Sequence, residues 1–124
     1  MIDLTLSSLG HTWIFDLDGT IVKHNGYKID GHDTFIQGKE EFLKSIPKND
    51  MVIFVTSRSL EYKLETEKFL SENGIRFDSI IYNAPYGERI LINDKKPSGL
   101  STAIAINVGR NEDSKIALKI DESL

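Results

Sequence analysis

The stretch Trp13-Ile14-Phe15-Asp16-Leu17-Asp18-Gly19-Thr20 decides the predicted fold, because an apolar run ends abruptly in two acidic residues. Trp, Ile and Phe are typical of a buried strand, whereas Asp, Gly and Thr continue a strand poorly. We therefore expect the chain to leave a sheet at Asp16. In open α/β sheets, the edge formed by the carboxyl ends of the strands is where ligands bind.

Four further apolar segments have the length of strands, at residues 51–55, 79–82, 89–93 and 103–108. Apolar side chains at helical spacing predict helices over residues 39–46 and 60–73. The alternation of strands and helices predicts an α/β fold with a mainly parallel, five-stranded sheet. One connection conflicts with this prediction, because residues 83–88 are too few for a crossover helix.

The remaining segments are less regular. Residues 1–11 predict either a short helix or an edge segment, and the tail over residues 109–124 carries one weak helical stripe. Residues 21–38 are rich in Gly, Asn and Asp, which predicts a small flap, as a loop or hairpin, beside the carboxyl edge of the sheet. A chain of 124 residues is long enough for one core, so we expect a single domain over residues 1–124.

Composition excludes several classes of protein. With 40% hydrophobic and 27% charged residues the chain is typical of globular domains, and no apolar run approaches a membrane span. The N-terminal residues lack a signal-peptide pattern, so the expected location is cytoplasmic, without a membrane partner. The absence of cysteine excludes disulfides and thiolate metal sites. A net charge of −4 without a basic block argues against a nucleic-acid partner.

Three of the predicted strands end in polar residues, namely Asp16, Thr56 and Asp94. Parallel strands place these residues at one edge of the sheet. Two carboxylates about 4 Å apart repel each other by about 4 kcal/mol at an effective dielectric near 20, so such a cluster needs protonation or a cation. Mg²⁺ prefers oxygen ligands and takes one or two carboxylates together with a substrate phosphate. The pattern therefore indicates phosphate chemistry with Mg²⁺.

The hydroxyl groups near these acids are the natural partners of a phosphate. Thr20, Thr56 and Ser57, with the backbone N–H groups after Gly19, would donate hydrogen bonds to phosphoryl oxygens.

The motif Phe15-Asp16-Leu17-Asp18-Gly19-Thr20 resembles the first motif of the haloacid dehalogenase (HAD) superfamily. Val55-Thr56-Ser57-Arg58 is similar to its second motif, and Ile92-Asn93-Asp94 is similar to its fourth motif. Order and spacing match over roughly residues 12–108. The resemblance implies a HAD-like, Rossmannoid three-layer sandwich that acts as a Mg²⁺-dependent phosphatase, a phosphoric monoester hydrolase.

The resemblance also implies residue roles. Asp16 would be the nucleophile that becomes an aspartyl phosphate, and Asp18 the general acid and then the general base. Mg²⁺ would be held by Asp16, Asp94 and the backbone carbonyl of Asp18, and Thr56 would hold the phosphoryl oxygens. Asp94 could also be an ordinary turn residue.

The third motif of the superfamily, a Lys or Arg upstream of the metal-binding acid, is missing. The matching place is Ala84-Pro85. Arg89 is the nearest upstream base, but five residues of extended chain, about 17 Å, would separate it from Asp94. We therefore favour Lys95 over Lys96 and Arg89 as the phosphate-binding cation.

Only the small flap could cover the predicted site. Superfamily members without a large cap tend to be oligomeric or to act on large substrates, so a homo-oligomer is one expectation. We expect a small phosphorylated metabolite, such as a sugar phosphate, as the substrate. Two rivals stay open: a phosphate- and Mg²⁺-binding module with weak or no turnover, and a receiver-like phosphoacceptor domain, which lacks the second acid followed by Gly-Thr.

Overall fold

A computed structural model describes residues 1–124, which form five strands, three α-helices and one 3₁₀ turn. In chain order these are β1 (Ile2–Leu6), β2 (Thr12–Phe15), α1 (Gly26–Ile29), α2 (Lys39–Ser45), β3 (Met51–Val55), the 3₁₀ turn (Leu60–Tyr62), α3 (Lys63–Glu72), β4 (Ser79–Ile81) and β5 (Ile116–Ile120). None of the helices has the length and apolar character needed to cross a membrane.

The central sheet is parallel and has the order β2-β3-β4. Phe15 lies opposite Phe54, and Phe54 lies opposite Ile80. The predicted α/β class, the three strands near residues 12–16, 51–55 and 79–82, and their parallel direction are therefore confirmed.

The helices cover one face of this sheet. The connections from β2 to β3 and from β3 to β4 run in the same direction across the sheet. Right-handed crossovers in one direction place their helices, α2 and α3, on the same face. On that face Phe42 of α2 packs edge-on against Trp13 and Phe15, with ring centroids 5.7 and 6.3 Å away. The buried core contains ten residues: Phe15, Leu17, Ile21, Val22, Leu43, Ile46, Val52, Phe54, Leu70 and Ile75.

The predicted five-stranded sheet is wrong. β1 and β5 form a separate two-stranded parallel sheet, in register from Ile2 with Ile116 to Leu6 with Ile120. The helical alternative for residues 1–11 is therefore wrong, and the strand that forms there is not an edge of the central sheet. The helical stripe expected in the tail is also wrong, because residues 116–120 pair as a strand.

Residues 89–93 and 103–108 are not strands. An apolar run becomes a strand only where a neighbour pairs with its backbone, and residues 83–88 are too few to carry the chain back across the sheet. The chain leaves β4 instead as a long irregular segment that returns to the core at Asn111, whose N–H donates to the carbonyl of Gly19.

The two longer helices lie close to their predicted positions, and Gly74, at φ +74°, ends α3 as expected. The flap over residues 21–38 contains α1. A bridge from Val22 to Asp18 attaches the flap to the loop that follows β2, and a bridge from Val22 to Phe35 joins the two ends of the flap.

Candidate functional site

The candidate site lies where β2 and β3 end side by side. Asp16 directly follows β2, and Thr56 directly follows β3. Because the strands are parallel neighbours, the structure brings these two ends together at the carboxyl edge of the sheet, as the sequence predicts.

Both carboxylate oxygens of Asp16 are engaged. Thr20 Oγ1 donates to Asp16 Oδ2 at 3.1 Å, and Arg89 Nη1 donates to Asp16 Oδ1 at 3.0 Å. The side chains of Arg89 and Asp16 are 39% and 38% exposed, so this ion pair is open to solvent and to a ligand. The expectation that about 17 Å of extended chain separates Arg89 from Asp94 depended on a strand over residues 89–93, which does not form.

The loop after Asp16 uses most of its own hydrogen-bonding groups. The carbonyl of Leu17 accepts from the N–H groups of Thr20, Ile21 and Val22, and the Gly19 N–H donates to Val22. The expectation that N–H groups after Gly19 are free for phosphate is therefore wrong. The N–H groups of Leu17 and Asp18, one step earlier, make no hydrogen bond within the chain.

Gly19 has a backbone conformation that favours glycine. Its φ is +84°, and a Cβ there would lie 3.2 Å from Cγ of Arg110. Glycine at this position allows the tight turn that holds Asp16 and Asp18 at one edge.

The second acid is held by a buried arginine. Arg58 Nε donates to Asp18 Oδ2 at 3.0 Å, and Arg58 Nη2 donates to Asp18 Oδ1 at 2.9 Å. The Arg58 side chain is only 2% exposed. This bidentate geometry is the strong form of a carboxylate–guanidinium contact.

The same guanidinium also holds the flap. It donates to Asp33 at 2.7 and 3.0 Å and to Thr66 Oγ1 of α3 at 2.9 Å, and its Cζ lies 3.9 Å from the ring centroid of Tyr27. Burial alone would lower the pKa of Arg58, but the hydrogen bonds and charges of Asp33 and Asp18 outweigh burial and raise that pKa. Arg58 therefore joins the first-motif loop, the flap and α3 as a permanent cation.

This arrangement restricts Asp18. Both of its oxygens accept hydrogen bonds from Arg58, so neither oxygen is placed to donate a proton. A general acid at this position needs Asp18 to turn away from Arg58.

The end of β3 carries two donors without a partner in the chain. Thr56 is buried, and its Oγ1 accepts from the Arg58 N–H at 3.1 Å, which leaves its own hydroxyl proton without a partner. Ser57 is partly exposed, and its N–H makes no hydrogen bond. Ala84, at the place of the missing third-motif lysine, donates its N–H to the Thr56 carbonyl at 3.0 Å.

Asp94, the predicted fourth-motif acid, and the two candidate phosphate-binding lysines that follow it are not part of this cluster. Asp94, Lys95 and Lys96 are exposed, and neither lysine makes an ion pair. The backbone carbonyl of Asp94 accepts from the Thr102 hydroxyl. No group of three or more His, Asp or Glu side chains is placed to share a metal ion, so Asp94 does not join Asp16 and Asp18.

The charges of the cluster leave room for a cation. Three carboxylates, those of Asp16, Asp18 and Asp33, face the two guanidinium groups of Arg58 and Arg89, which leaves one negative charge in excess. Mg²⁺ takes one or two protein carboxylates and fills its remaining positions with water and phosphate oxygens. The donor set at the end of β2 fits such an ion through Asp16 and the backbone carbonyl of Asp18.

Sequence reasoning assigned no role to Arg58 or Asp33, and it placed Arg89 behind Lys95 as the phosphate-binding cation. For Arg58 a signal was present, because a cation three residues after β3 shares the edge that carries Asp16 and Asp18. The contacts of Asp33 and Arg89 depend on how the flap and the long segment fold back, and no local pattern marks them.

No protein-family model, no curated protein and no solved structure matches this chain.

Proposed function

We propose that the protein is a HAD-like, Mg²⁺-dependent phosphomonoester hydrolase that acts through an aspartyl phosphate on Asp16. One observation carries the proposal. A solvent-accessible carboxylate at a strand end faces a guanidinium, beside unpaired N–H groups of Leu17, Asp18 and Ser57. An anionic nucleophile, a cation and free donors together suit a phosphoryl group.

The reaction divides into two displacements. An oxygen of Asp16 attacks phosphorus, and the bond to the leaving oxygen breaks. Asp18, in its protonated form and turned away from Arg58, gives that oxygen a proton. Asp18 then accepts a proton from a water molecule that attacks the phosphoryl group, which releases inorganic phosphate and restores Asp16. Mg²⁺, when bound by Asp16 and the Asp18 carbonyl, neutralises charge between the nucleophile and the phosphate.

Arg89 fills the place of the missing third-motif lysine in this proposal. Its guanidinium contacts the nucleophile directly at 3.0 Å, whereas Lys95 and Lys96 have no partner at the site. A planar guanidinium can hold Asp16 and a phosphoryl oxygen at the same time. The phosphate-binding role first given to Lys95 stays a prediction.

A phosphate- and Mg²⁺-binding module with weak or no turnover is the second candidate. Two observations favour it: Arg58 occupies both oxygens of Asp18, and Asp94 lies outside the cluster. Such a module would bind phosphate without an acid to protonate the leaving group.

Phosphate release from an aryl phosphate and from a panel of phosphorylated metabolites, sugar phosphates included, tests the proposal. We expect turnover with Mg²⁺ and loss of turnover with a chelator. Asp16→Asn should reduce kcat by a factor on the order of 10⁴ or more. Asp30→Asn is the matched control, because Asp30 is an exposed acid of the flap.

Two results would decide against the proposal. Full activity of Asp16→Asn would refute the nucleophile. Phosphate binding that needs Mg²⁺, without turnover on any substrate, would establish the binding module instead.

A further inference from the structure

Arg58 divides its hydrogen bonds between two carboxylates. Its Nε and Nη2 donate to Asp18 at 3.0 and 2.9 Å, and its Nη2 and Nη1 donate to Asp33 at 2.7 and 3.0 Å. The remaining N–H of Nη1 donates to Thr66 Oγ1 at 2.9 Å. A guanidinium has five N–H donors, so every donor of Arg58 has a partner.

The two carboxylates differ in their access to a ligand. Asp18 lies two residues after Asp16 at the edge of the sheet, and its side chain is 17% exposed. Asp33 lies in the flap, and its side chain is only 5% exposed. A group bound at Asp16 can therefore draw Asp18 away from Arg58, whereas Asp33 is enclosed and stays with Arg58.

The charge of Asp33 decides what this movement leaves behind. Asp18, Asp33 and Arg58 together carry one net negative charge. When the Asp18 side chain turns away, Arg58 and Asp33 remain as a neutral pair. Without the Asp33 carboxylate, the same movement would leave a guanidinium that is 2% exposed without any counterion, and an uncompensated buried charge is strongly unfavourable. Asp33 therefore lowers the free energy needed to release Asp18.

The other contacts of Arg58 hold its position but supply no charge. The ring centroid of Tyr27 lies 3.9 Å from Arg58 Cζ, and Thr66 contributes only a hydroxyl. Burial and the nearby charge of Asp18 raise the pKa of Tyr27, so its hydroxyl stays neutral. Neither side chain can replace Asp33 as the counterion of Arg58.

We propose that Asp33 is a positioning residue, which keeps Arg58 paired so that Asp18 can turn from Arg58 toward the leaving group. This role rests on the proposed phosphatase function, in which Asp18 reaches the leaving oxygen only after it has left Arg58. Asp33 acts through Arg58 and Asp18 and does not itself contact the substrate.

The dependence of the rate on the leaving group tests this role. p-Nitrophenolate leaves without a proton, whereas the alkoxide of a sugar phosphate needs one, so only the sugar phosphate requires Asp18 to be released. We expect Asp33→Asn to lower kcat/KM for a sugar phosphate by about 10- to 100-fold relative to kcat/KM for p-nitrophenyl phosphate.

Two further variants separate the charge of Asp33 from its packing. Asp33→Glu keeps the charge and should restore part of the wild-type ratio between the two kcat/KM values. Thr66→Val is the matched control, because it removes one hydrogen bond of the buried guanidinium but no charge, and it should keep the wild-type ratio.

The NMR signal of the Arg58 Nε–H gives a readout that needs no turnover. This N–H donates to Asp18 alone, so its signal reports on that contact. We expect Mg²⁺ with orthovanadate, a phosphoryl analogue, to shift the signal in the wild type, and we expect Asp33→Asn to abolish the shift. A wild type without turnover whose signal still shifts would refute the phosphatase but leave the role of Asp33 in releasing Asp18 intact.

Three results would overturn the proposal. The first is an equal loss of kcat/KM for both substrates in Asp33→Asn. The second is a wild-type signal that Mg²⁺ and orthovanadate leave unchanged, which can be observed even if Asp33→Asn does not fold. The third is a shift in Asp33→Asn as large as that of the wild type.

Discussion

Arg58 and Arg89 both pair with acids of the first motif, but in opposite surroundings. Arg58 is buried among Asp18, Asp33 and Thr66, whereas Arg89 meets Asp16 in the open. Removing one partner of a buried ion pair strongly destabilises the fold, whereas an exposed ion pair contributes little to stability. Replacing Arg58 should therefore lower the stability of the fold, whereas replacing Arg89 should lower activity with little effect on stability.

Replacing Arg89 tests the exposed pair. We expect Arg89→Ala to change the free energy of unfolding by less than about 1 kcal/mol, because the contact is solvent-screened. We expect the same variant to lower kcat/KM for a phosphomonoester by about 100-fold, because it removes the cation beside Asp16. Urea unfolding and steady-state kinetics measure the two effects, and Arg89→Lys should recover part of the activity.

Lys95→Ala and Lys96→Ala are the matched comparisons, since both lysines are exposed and make no ion pair. A larger loss of kcat/KM in either variant than in Arg89→Ala would return the third-motif role to that lysine.

Asp50 makes the stability of the fold depend on pH. Burial alone would raise its pKa, but hydrogen bonds from the Trp13 ring and from the backbone and ring of His11 outweigh burial and lower that pKa. A carboxyl whose pKa is lower in the folded state stabilises the fold above its unfolded pKa, and this contribution disappears as the pH falls through the folded pKa.

We therefore expect the free energy of unfolding of the wild type to fall between about pH 5 and pH 2 more steeply than that of Asp50→Asn. At neutral pH Asp50→Asn should be less stable by about 1–3 kcal/mol, because an amide cannot accept all three hydrogen bonds. Urea unfolding across this pH range measures both effects. Asp3→Asn, at an exposed acid of β1, should keep the slope of the wild type, and equal slopes for all three proteins would contradict the assignment.

At the scale of elements, one buried side chain ties the flap to the end of β3. Arg58 holds Asp33 by two hydrogen bonds and packs against Tyr27, so the flap over residues 21–38 and the end of β3 form one unit. The position of the flap over the site thus depends on the same guanidinium that holds Asp18.

Arg58→Ala should lower the free energy of unfolding by about 3–5 kcal/mol, since it leaves two carboxylates near each other without their cation. Arg76→Ala, at an exposed arginine that lies 3.6 Å from Asp78 and donates to the Pro47 carbonyl at 2.7 Å, should cost less than about 1 kcal/mol. Denaturant unfolding measures both values. If the wild-type and Arg58→Ala proteins are equally stable, the network around Arg58 does not hold the flap.

At the scale of the whole molecule, the three-stranded core and its helices could be predicted from sequence. Short apolar runs such as residues 51–55, bounded by turns and separated by helical periodicity, specify local structure strongly. The runs at residues 89–93 and 103–108 have a similar composition but no neighbouring strand, and pairing depends on the whole fold. Local pattern could not reveal that difference.

The site likewise has a part that could be predicted from the sequence and a part that could not. The proximity of Asp16, Asp18 and Thr56 follows from parallel strands that end at one edge, so it could be predicted. The contacts of Arg58 and Arg89 could not, because each depends on where a long side chain reaches. Repulsion between the acids was expected to require a proton or a metal, and two guanidinium groups offset most of it instead.

The two sheets should differ in stability, because no residue of β1 or β5 belongs to the buried core. Few polar contacts join that pair to the rest, among them Lys39 Nζ donating to the Ser114 carbonyl and the His11 ring contacting the Ser7 carbonyl. A two-stranded sheet has little stability of its own. We expect amides of β5 to exchange with solvent through a local opening, with a free energy at least about 1 kcal/mol below that of β3 amides. Native-state hydrogen exchange in low denaturant measures both values, and equal free energies would show instead that the two sheets unfold as one cooperative unit.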